Sequence, residues 1–423
     1  MMNTDSLEVV ILNDYASLTG GSSAVAISSA IGLANRGIPV TFLTCVGPVA
    51  PELTDVSNLE VLCLGQQEIA KNANRFKAFT DGLRNREATR AVRDILAEKS
   101  PENTVVHVHT WTKAFSPFAL DAVIQMGFRL VVTLHDFFIT CPSGGFFVHH
   151  TRELCRRVPL SMDCLRCNCD RRNYGHKLWR SVRTGIQNGF LRIPEKISYY
   201  IGVSDFSVNV MRPYLPPTTP VRVVRNPVDC KDEGPAAVAD NDEFVFIGRF
   251  EEEKGVKLFA DAVRAAGVKA TFIGDGALAP YVHEVCPESR FTGWLKPLEI
   301  RQYLKKARAL VFPPLWYETL GLVVIEAAAA GVPAIISNQC AATDYIRNGT
   351  HGLHFEHGSV ESLARRMTEL LQNNDLTARL GRAAYDWYWR DPWTSERHVT
   401  ELVEIYEELV ARAPAPIKEG VSL

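Results

Sequence analysis

At 423 residues the chain exceeds what one hydrophobic core usually supports, so two domains of roughly 200 residues each are expected. Lys and Arg number 46 against 48 Asp and Glu, a net charge of -2, which excludes bulk attraction to nucleic acid or to an anionic membrane and leaves any such role to local patches. Ten cysteines in so long a chain do not read as a secreted disulfide scaffold.

The opening stretch MMNTDSLEVVILNDY starts acidic and holds only a short apolar run before Asn13 and Asp14, which fits neither a signal peptide nor a spanning helix. A soluble, cytoplasmic protein is expected. EVVIL (8–12), the break at Gly20 and Gly21, a small-residue helix capped by Ser22 or Ser23 and ended by Gly37, and PVTFLTC read as strand, loop, helix, strand. TVVHVHT (104–110) and RLVVTLHD (129–136) are apolar on both faces, the pattern of buried parallel strands in an α/β domain. Ligands bind beyond the carboxyl ends of such strands, where His109, His135 and Asp136 lie. His107 and His109, two apart, share one face of their strand. His107 reads as a core histidine and His109, at the strand end, as the functional candidate. His135 and Asp136 divide evenly between an acceptor contact and a structural turn.

Cys141, Cys155, Cys164, Cys167 and Cys169 then fall within 29 positions. Thiolates at this spacing suit a structural tetrahedral zinc held by Cys141, Cys155, Cys164 and Cys167, with Cys169 as alternate and His149 or His150 as substitutes. Free thiols and an iron–sulfur site are the competing readings. From Arg152 to Lys196 eleven Lys or Arg stand against four Asp or Glu. Within that run, 174–193 forms an amphipathic helix with Leu178, Trp179, Val182, Ile186 and Phe190 near one face. Such a helix could touch the inner face of a cell membrane or a lipid-linked diphosphate acceptor. Ordinary packing of the stripe against the sheet is the reading preferred over membrane contact.

After ISYYIGVSD (197–205) and VRVVRNPVD (221–229), the small and polar KDEGPAAVADND reads as a linker, placed at 230–242. A second α/β series follows: EFVFIG (243–248), ATFIGDG (270–276), RFTGW (290–294), ALVFPP (309–314) and PAIIS (333–337). Asp240-Asn241-Asp242 spells a DxD metal motif, but its place in the linker argues against a catalytic role.

Two segments carry the chemistry. GRFEEEKG (248–255) follows a strand directly, so Arg249 and Lys254 could clamp a diphosphate, one as a fork and one as a point charge. The alternative makes Glu251, Glu252 and Glu253 first-turn acids and the two cations their partners. PPLWYETLGLVVIEAAAAGVPAII (313–336) sets Glu318 and Glu326 eight positions apart, around a glycine turn that opens a helix. The helix start offers free N–H groups and a positive dipole to a diphosphate. Glu318 would meet a sugar and Glu326 ribose hydroxyls, whereas a buried helix with two exposed acids is the plain alternative.

In this order, TGGSSAVAISSAIGLANRGIPVTFLT, HVHTW, VSD, RNPVD, GRFEEEKG, FIGDG, FTGW, the paired glutamates, NGTHGLHFEHGS (348–359) and DPWT resemble the retaining glycosyltransferases of the GT-B fold, family 4, over nearly the whole chain. The resemblance implies two Rossmann-like α/β domains facing across a cleft. These are an acceptor-side domain (1–229) with a Cys-rich insertion (141–169), a nucleotide-sugar domain (243–393), and a final helix (394–423) returning to the first domain. It implies that Arg249 and Lys254 bind the diphosphate of a nucleotide sugar beside the backbone of Leu320, Gly321, Leu322 and Val323. Glu326 would hold the ribose, Gly274 and Phe291 would frame the base, and Glu318 and His109 would meet the transferred sugar. Gly20 and Gly21 would let backbone approach the reacting groups. No catalytic metal is implied. The donor would be a UDP-sugar, or else a GDP-sugar, and the acceptor a glycan, a lipid-linked molecule or a small molecule; no nucleic acid partner is expected. A nucleotide-sugar epimerase or hydrolase of the same fold, or a non-enzymatic protein using the cysteines or the basic run, are the alternatives.

Overall fold

The computed structural model describes residues 7–412; the acidic start of the chain and the tail after Arg412 lie outside the described residues. Two parallel sheets organise it. The first contains β1 (Glu8–Tyr15), β2 (Val40–Val46), β3 (Leu59–Cys63), β4 (Thr104–Val108) and β5 (Arg129–Leu134). An antiparallel ribbon of β6 (Phe147–Val148) and β7 (Glu153–Leu154) stands apart, and β8 (Tyr199–Gly202) and β9 (Val221–Val223) complete the sheet. Its order is β3-β2-β1-β4-β5-β8-β9, so the winding reverses between β1 and β4. The second sheet holds β10 (Glu243–Ile247), β11 (Lys269–Ile273), β12 (Arg290–Gly293), β13 (Ala309–Phe312), β14 (Ala334–Ser337) and β15 (Gly352–Phe355). Its order is β12-β11-β10-β13-β14-β15, reversing between β10 and β13.

Both sheets are buried on both faces because their inner strands lack alternation: Val105, Val106 and Val108 are buried, as are Leu310 and Val311. In open sheets of this kind the crevice for a ligand lies where the winding reverses. The helix after β1 spans Gly21–Asn35, with Gly20 at its N-cap and no side-chain cap. The expected Ser22 or Ser23 cap is therefore replaced: both serines sit inside the first turn, and the helix starts two or three residues earlier.

Residues 230–242 are packed rather than loose. Ala236 N donates to Ala330 O at 2.9 Å, and Asn241 Nδ2 to Ala307 O at 3.1 Å. Asp242 pairs with Lys269, and none of Asp240, Asn241 and Asp242 lines the main cleft.

The last helix, Ser395–Ala411, is capped by Thr394, whose side chain accepts from Arg397 N. It buries Val399, Leu402, Ile405, Tyr406 and Leu409 with Val9, Leu33 and Phe42 of the first domain, while Trp393 just before it lies in the second domain's core. Each buried side chain of this kind is worth about 1.5–3 kcal/mol. The chain thus crosses between the domains at Trp393–Thr394, and Tyr406 closes the crossing with its hydroxyl 2.6 Å from His107 Nδ1.

Candidate active site

A cleft of about 580 Å³ lies between the carboxyl ends of the two sheets. The second domain contributes the loop after β10 and the turn and helix after β13. Lys254 Nζ donates to Glu318 Oε2 at 2.6 Å, and Trp316 Nε1 donates to the same oxygen at 2.8 Å. Burial would raise the Glu318 carboxyl, but Lys254, Trp316 and Arg249 together hold it below the usual range. Arg249 is half-exposed with its guanidinium 3.6 Å from Glu253, so its remaining donors face the cleft unengaged.

The helix Leu322–Ala329 opens at Gly321 with no side-chain cap, leaving first-turn N–H groups and the positive end of the dipole at the cleft wall. Gly321 has φ 89°, and a Cβ there would come within 2.7 Å of the Phe312 ring, so only glycine makes this turn. One turn into the helix, Glu326 lines the cleft and makes no hydrogen bond or ion pair among the described residues. Burial pushes its carboxyl up to about 7, with Arg301 opposing.

The first domain contributes Gly20, Gly21, His135 and Asp136. Gly21 and Leu322 face each other so closely that a Cβ at Gly21 would meet Leu322 Cδ1 at 3.4 Å. Thr319 Oγ1 donates to His135 O at 3.0 Å across the same gap. Burial lowers His135 to about 3 and raises Asp136 to about 6, the latter opposed by the Phe138 N–H.

Of the residues singled out from sequence, Gly20, Gly21, His135, Asp136, Arg249, Lys254, Glu318, Leu320, Gly321, Leu322, Val323 and Glu326 all line this one cleft. His109, Gly274 and Phe291 do not. His109 is 2% exposed, one layer behind His135, with Nδ1 2.9 Å from His135 Nε2. Its Nε2 is buried without a partner, and burial beside His107 and His135 keeps it neutral. The ring that reaches the cleft is that of His135, because β4 ends one layer deeper than β5. Phe291 turns away from the cleft, stacked on Phe272 at 5.1 Å and His283 at 3.8 Å. Gly274, at φ 128°, lets its loop pass Gly248, whose carbonyl oxygen would lie 1.9 Å from an added Cβ. Sequence reasoning missed Trp294, exposed on the cleft wall, and Asn226, whose buried Oδ1 has no partner and which also lines the cleft. Both sit in stretches already notable, FTGW and RNPVD, but neither side chain carries a charge to mark it.

The cysteines gather around an ammonium. Lys177 is 0% exposed with Nζ 3.2 Å from Cys164 Sγ, and it also interacts with Cys141 and Cys169. Cys155, Cys167 and Cys169 pack with Val148, and Cys169 lies 3.1 Å from Ser143 Oγ. Among the described residues no group of three or more His, Cys, Asp or Glu side chains is placed to hold a metal ion. Cys141, Cys155, Cys164 and Cys167 are thus not gathered as a four-ligand set here: Lys177 bonds Cys164, and Arg157 lies 3.9 Å from Cys155 Sγ.

Their segment bridges the domains instead. Phe147 is buried in the second domain's core, Arg152 pairs with Glu252 at 3.1 Å, and Arg171 pairs with Glu251 at 2.8 Å. Two of the three acids beside Arg249 are thus claimed by arginines of the insertion and of the residues just after it, which leaves Arg249 with Glu253.

Two doubly wound parallel sheets that face each other across a cleft define the GT-B architecture. Sucrose-phosphate synthase from Thermosynechococcus elongatus has the same fold, with a TM-score of 0.71 at 16% identity over 96% of this chain and 99% of that one. Anabaena HepE in complex with UDP gives 0.65 at 15% identity over 95% and 100%. A family described as Glycosyltransferase Family 4 matches residues 19–232, and one described as Glycosyl transferases group 1 matches residues 231–387. The chain belongs to this glycosyltransferase family. Glycogen synthase of Mycobacterium tuberculosis is 30% identical over 220 residues, 46% of this chain and 51% of that protein. A GDP-mannose-dependent alpha-mannosyltransferase of Corynebacterium glutamicum is 27% identical over 166 residues, 39% and 40%. The chain spans about half the length of the curated relatives it matches.

Proposed function

We propose that this chain moves a sugar from a nucleotide-diphosphate sugar to an acceptor hydroxyl with retention at the anomeric carbon and without a catalytic metal. The observation that carries this reading is the convergence of Arg249, Lys254 and an uncapped helix start on one side of the cleft, with Glu326 unpaired one turn further on. Leaving-group charge develops on the diphosphate as the anomeric C–O bond breaks, and positive groups held ready there lower the barrier. Arg249 and Lys254 grip the diphosphate, and Glu326 accepts hydrogen bonds from the ribose. Glu318, held by Lys254 and Trp316, keeps one oxygen for the hydroxyls of the sugar. The acceptor hydroxyl attacks from the face the diphosphate leaves. A new C–O bond forms as the old one breaks, and the leaving phosphate oxygen takes the acceptor proton.

A uridine nucleotide is favoured because Anabaena HepE, of the same fold, is described in complex with UDP and with UDP-glucose. A guanosine nucleotide is the second candidate, from the GDP-mannose-dependent relative. The test is proton NMR of the product of a UDP-sugar reaction. Retained anomeric configuration, with sugar release dependent on added acceptor, is the expected result. An inverted product would remove the retaining mechanism, and release without acceptor would point to a hydrolase or epimerase.

A further inference from the structure

Beside the acceptor wall of the cleft lies a second cavity, of about 330 Å³, between the helices Arg75–Leu83 and Tyr174–Gly185. Asp136 and Phe137 line the main cleft and Phe138, next in the chain, lines this one, so the two share a wall. Its sides are apolar: Ile69, Ala78, Phe79 and Trp179, with the Phe79 and Trp179 rings 6.3 Å apart. Around it stand Arg75, Lys113 and Arg172, exposed and in no ion pair among the described residues, with Arg172 2.8 Å from His176 Nε2; Arg180 pairs with Asp170, and the one lining carboxylate, Glu68, pairs with Lys71.

The helix Tyr174–Gly185 is inside out. Lys177 and Arg183 point inward, Arg183 donating to the carbonyls of Trp111, Thr112 and Phe115. Val182 is 54% exposed, Phe190 in the turn that follows 77%, and Phe76 on the neighbouring helix 78%. Of the stripe expected to pack against the sheet, Leu178, Val182 and Phe190 face outward while Ile186 packs on the first domain's core, because Arg183 is drawn inside to satisfy loop carbonyls. Large apolar side chains grouped on a surface mark a binding face rather than chance exposure.

An apolar pocket flanked by three cations free of ion pairs, built on two helices that also carry outward apolar side chains, and sharing a wall with the transfer cleft, fits one kind of molecule. We propose that it binds a long-chain lipid phosphate, the carrier of a membrane-linked acceptor, with the chain along Phe79 and Trp179 and the phosphate on Arg75 and Arg172. The inference rests on the transferase reading, since it names that reaction's acceptor class. The exposed apolar side chains would sit at the bilayer surface while the cleft remains in water.

The experiment is flotation of the full chain with three vesicles: phosphatidylcholine alone, phosphatidylcholine with phosphatidylglycerol, and phosphatidylcholine with polyprenyl phosphate at matched charge. Binding to the third, tighter than to the second by roughly tenfold or more and reduced by roughly that factor in Arg75→Gln/Arg172→Gln, is expected. Both arginines are exposed and in no ion pair, their bonds to His176 and to the Ala70 carbonyl lying at the surface, so the thermal midpoint should hardly move. Equal binding to the second and third vesicles would reveal a general anionic surface and overturn the proposal, as would unchanged binding by the double variant. UDP and GDP affinities, measured on the same samples, separate the two ideas. Retention of either alongside failed lipid binding sinks only the lipid site, whereas the absence of both removes the transferase reading beneath it.

Discussion

Lys254 and Glu318 leave water together on folding, and each is the other's compensation. Removing one strands the other, so Lys254→Met should cost about 1–3 kcal/mol of stability as well as weaken nucleotide binding, whereas Glu318→Gln keeps Trp316 as donor and should cost less. Urea unfolding of the two variants checks the ranking. Glu326 makes a sharper prediction. With its carboxyl at about 7, it is half protonated near neutrality in the free protein. A ribose diol donates hydrogen bonds and so prefers the carboxylate, so protonation competes with the ligand and affinity falls as pH drops through about 7. Between pH 8 and 6, UDP affinity should fall by about tenfold more in the wild type than in Glu326→Gln, which retains only the titration of the phosphate itself. A wild-type profile parallel to that of the variant would remove Glu326 from the ribose.

At the scale of elements, the last helix and the Cys-rich insertion tie the site together. Tyr406→Phe removes the bond to His107, which is buried and keeps only Thr133, and should cost about 1–2 kcal/mol, read as a lower thermal midpoint. Gly145, in the insertion, lies against Trp316: a Cβ there would be 3.0 Å from its ring, and Trp316 orients Glu318. Gly145→Val should therefore displace the tryptophan and slow transfer with little change in UDP affinity; unchanged turnover would show that Trp316 does not position Glu318. Strands apolar on both faces and the turn at Gly321 were legible in the sequence because their cause is local. The burial of His109 and the outward face of Tyr174–Gly185 were not. Periodicity tells which residues share a face, but only the partner tells which face turns inward: here the loop carbonyls of Trp111 to Phe115 draw Arg183 in, and Leu178 and Val182 go out.

For the whole molecule, two sheets with their winding reversals turned toward each other make one site from two halves, neither of which holds all of its residues. The order of motifs along the chain carried this much, since each charged motif follows a strand. Cross-domain contacts such as Thr319 to His135 join residues 184 positions apart, beyond the reach of any local pattern. No helix among the described residues is long and apolar enough to cross a membrane. The claim on which the rest depends is that the cleft grips a diphosphate through Arg249 and Lys254. Calorimetric titration of UDP and GDP into the wild type and into Arg249→Ala/Lys254→Ala measures it directly. Binding of at least one nucleotide by the wild type and a loss of roughly a hundredfold or more in the double variant is the predicted result, two charge-assisted contacts being removed. Equal affinity in both proteins would contradict it.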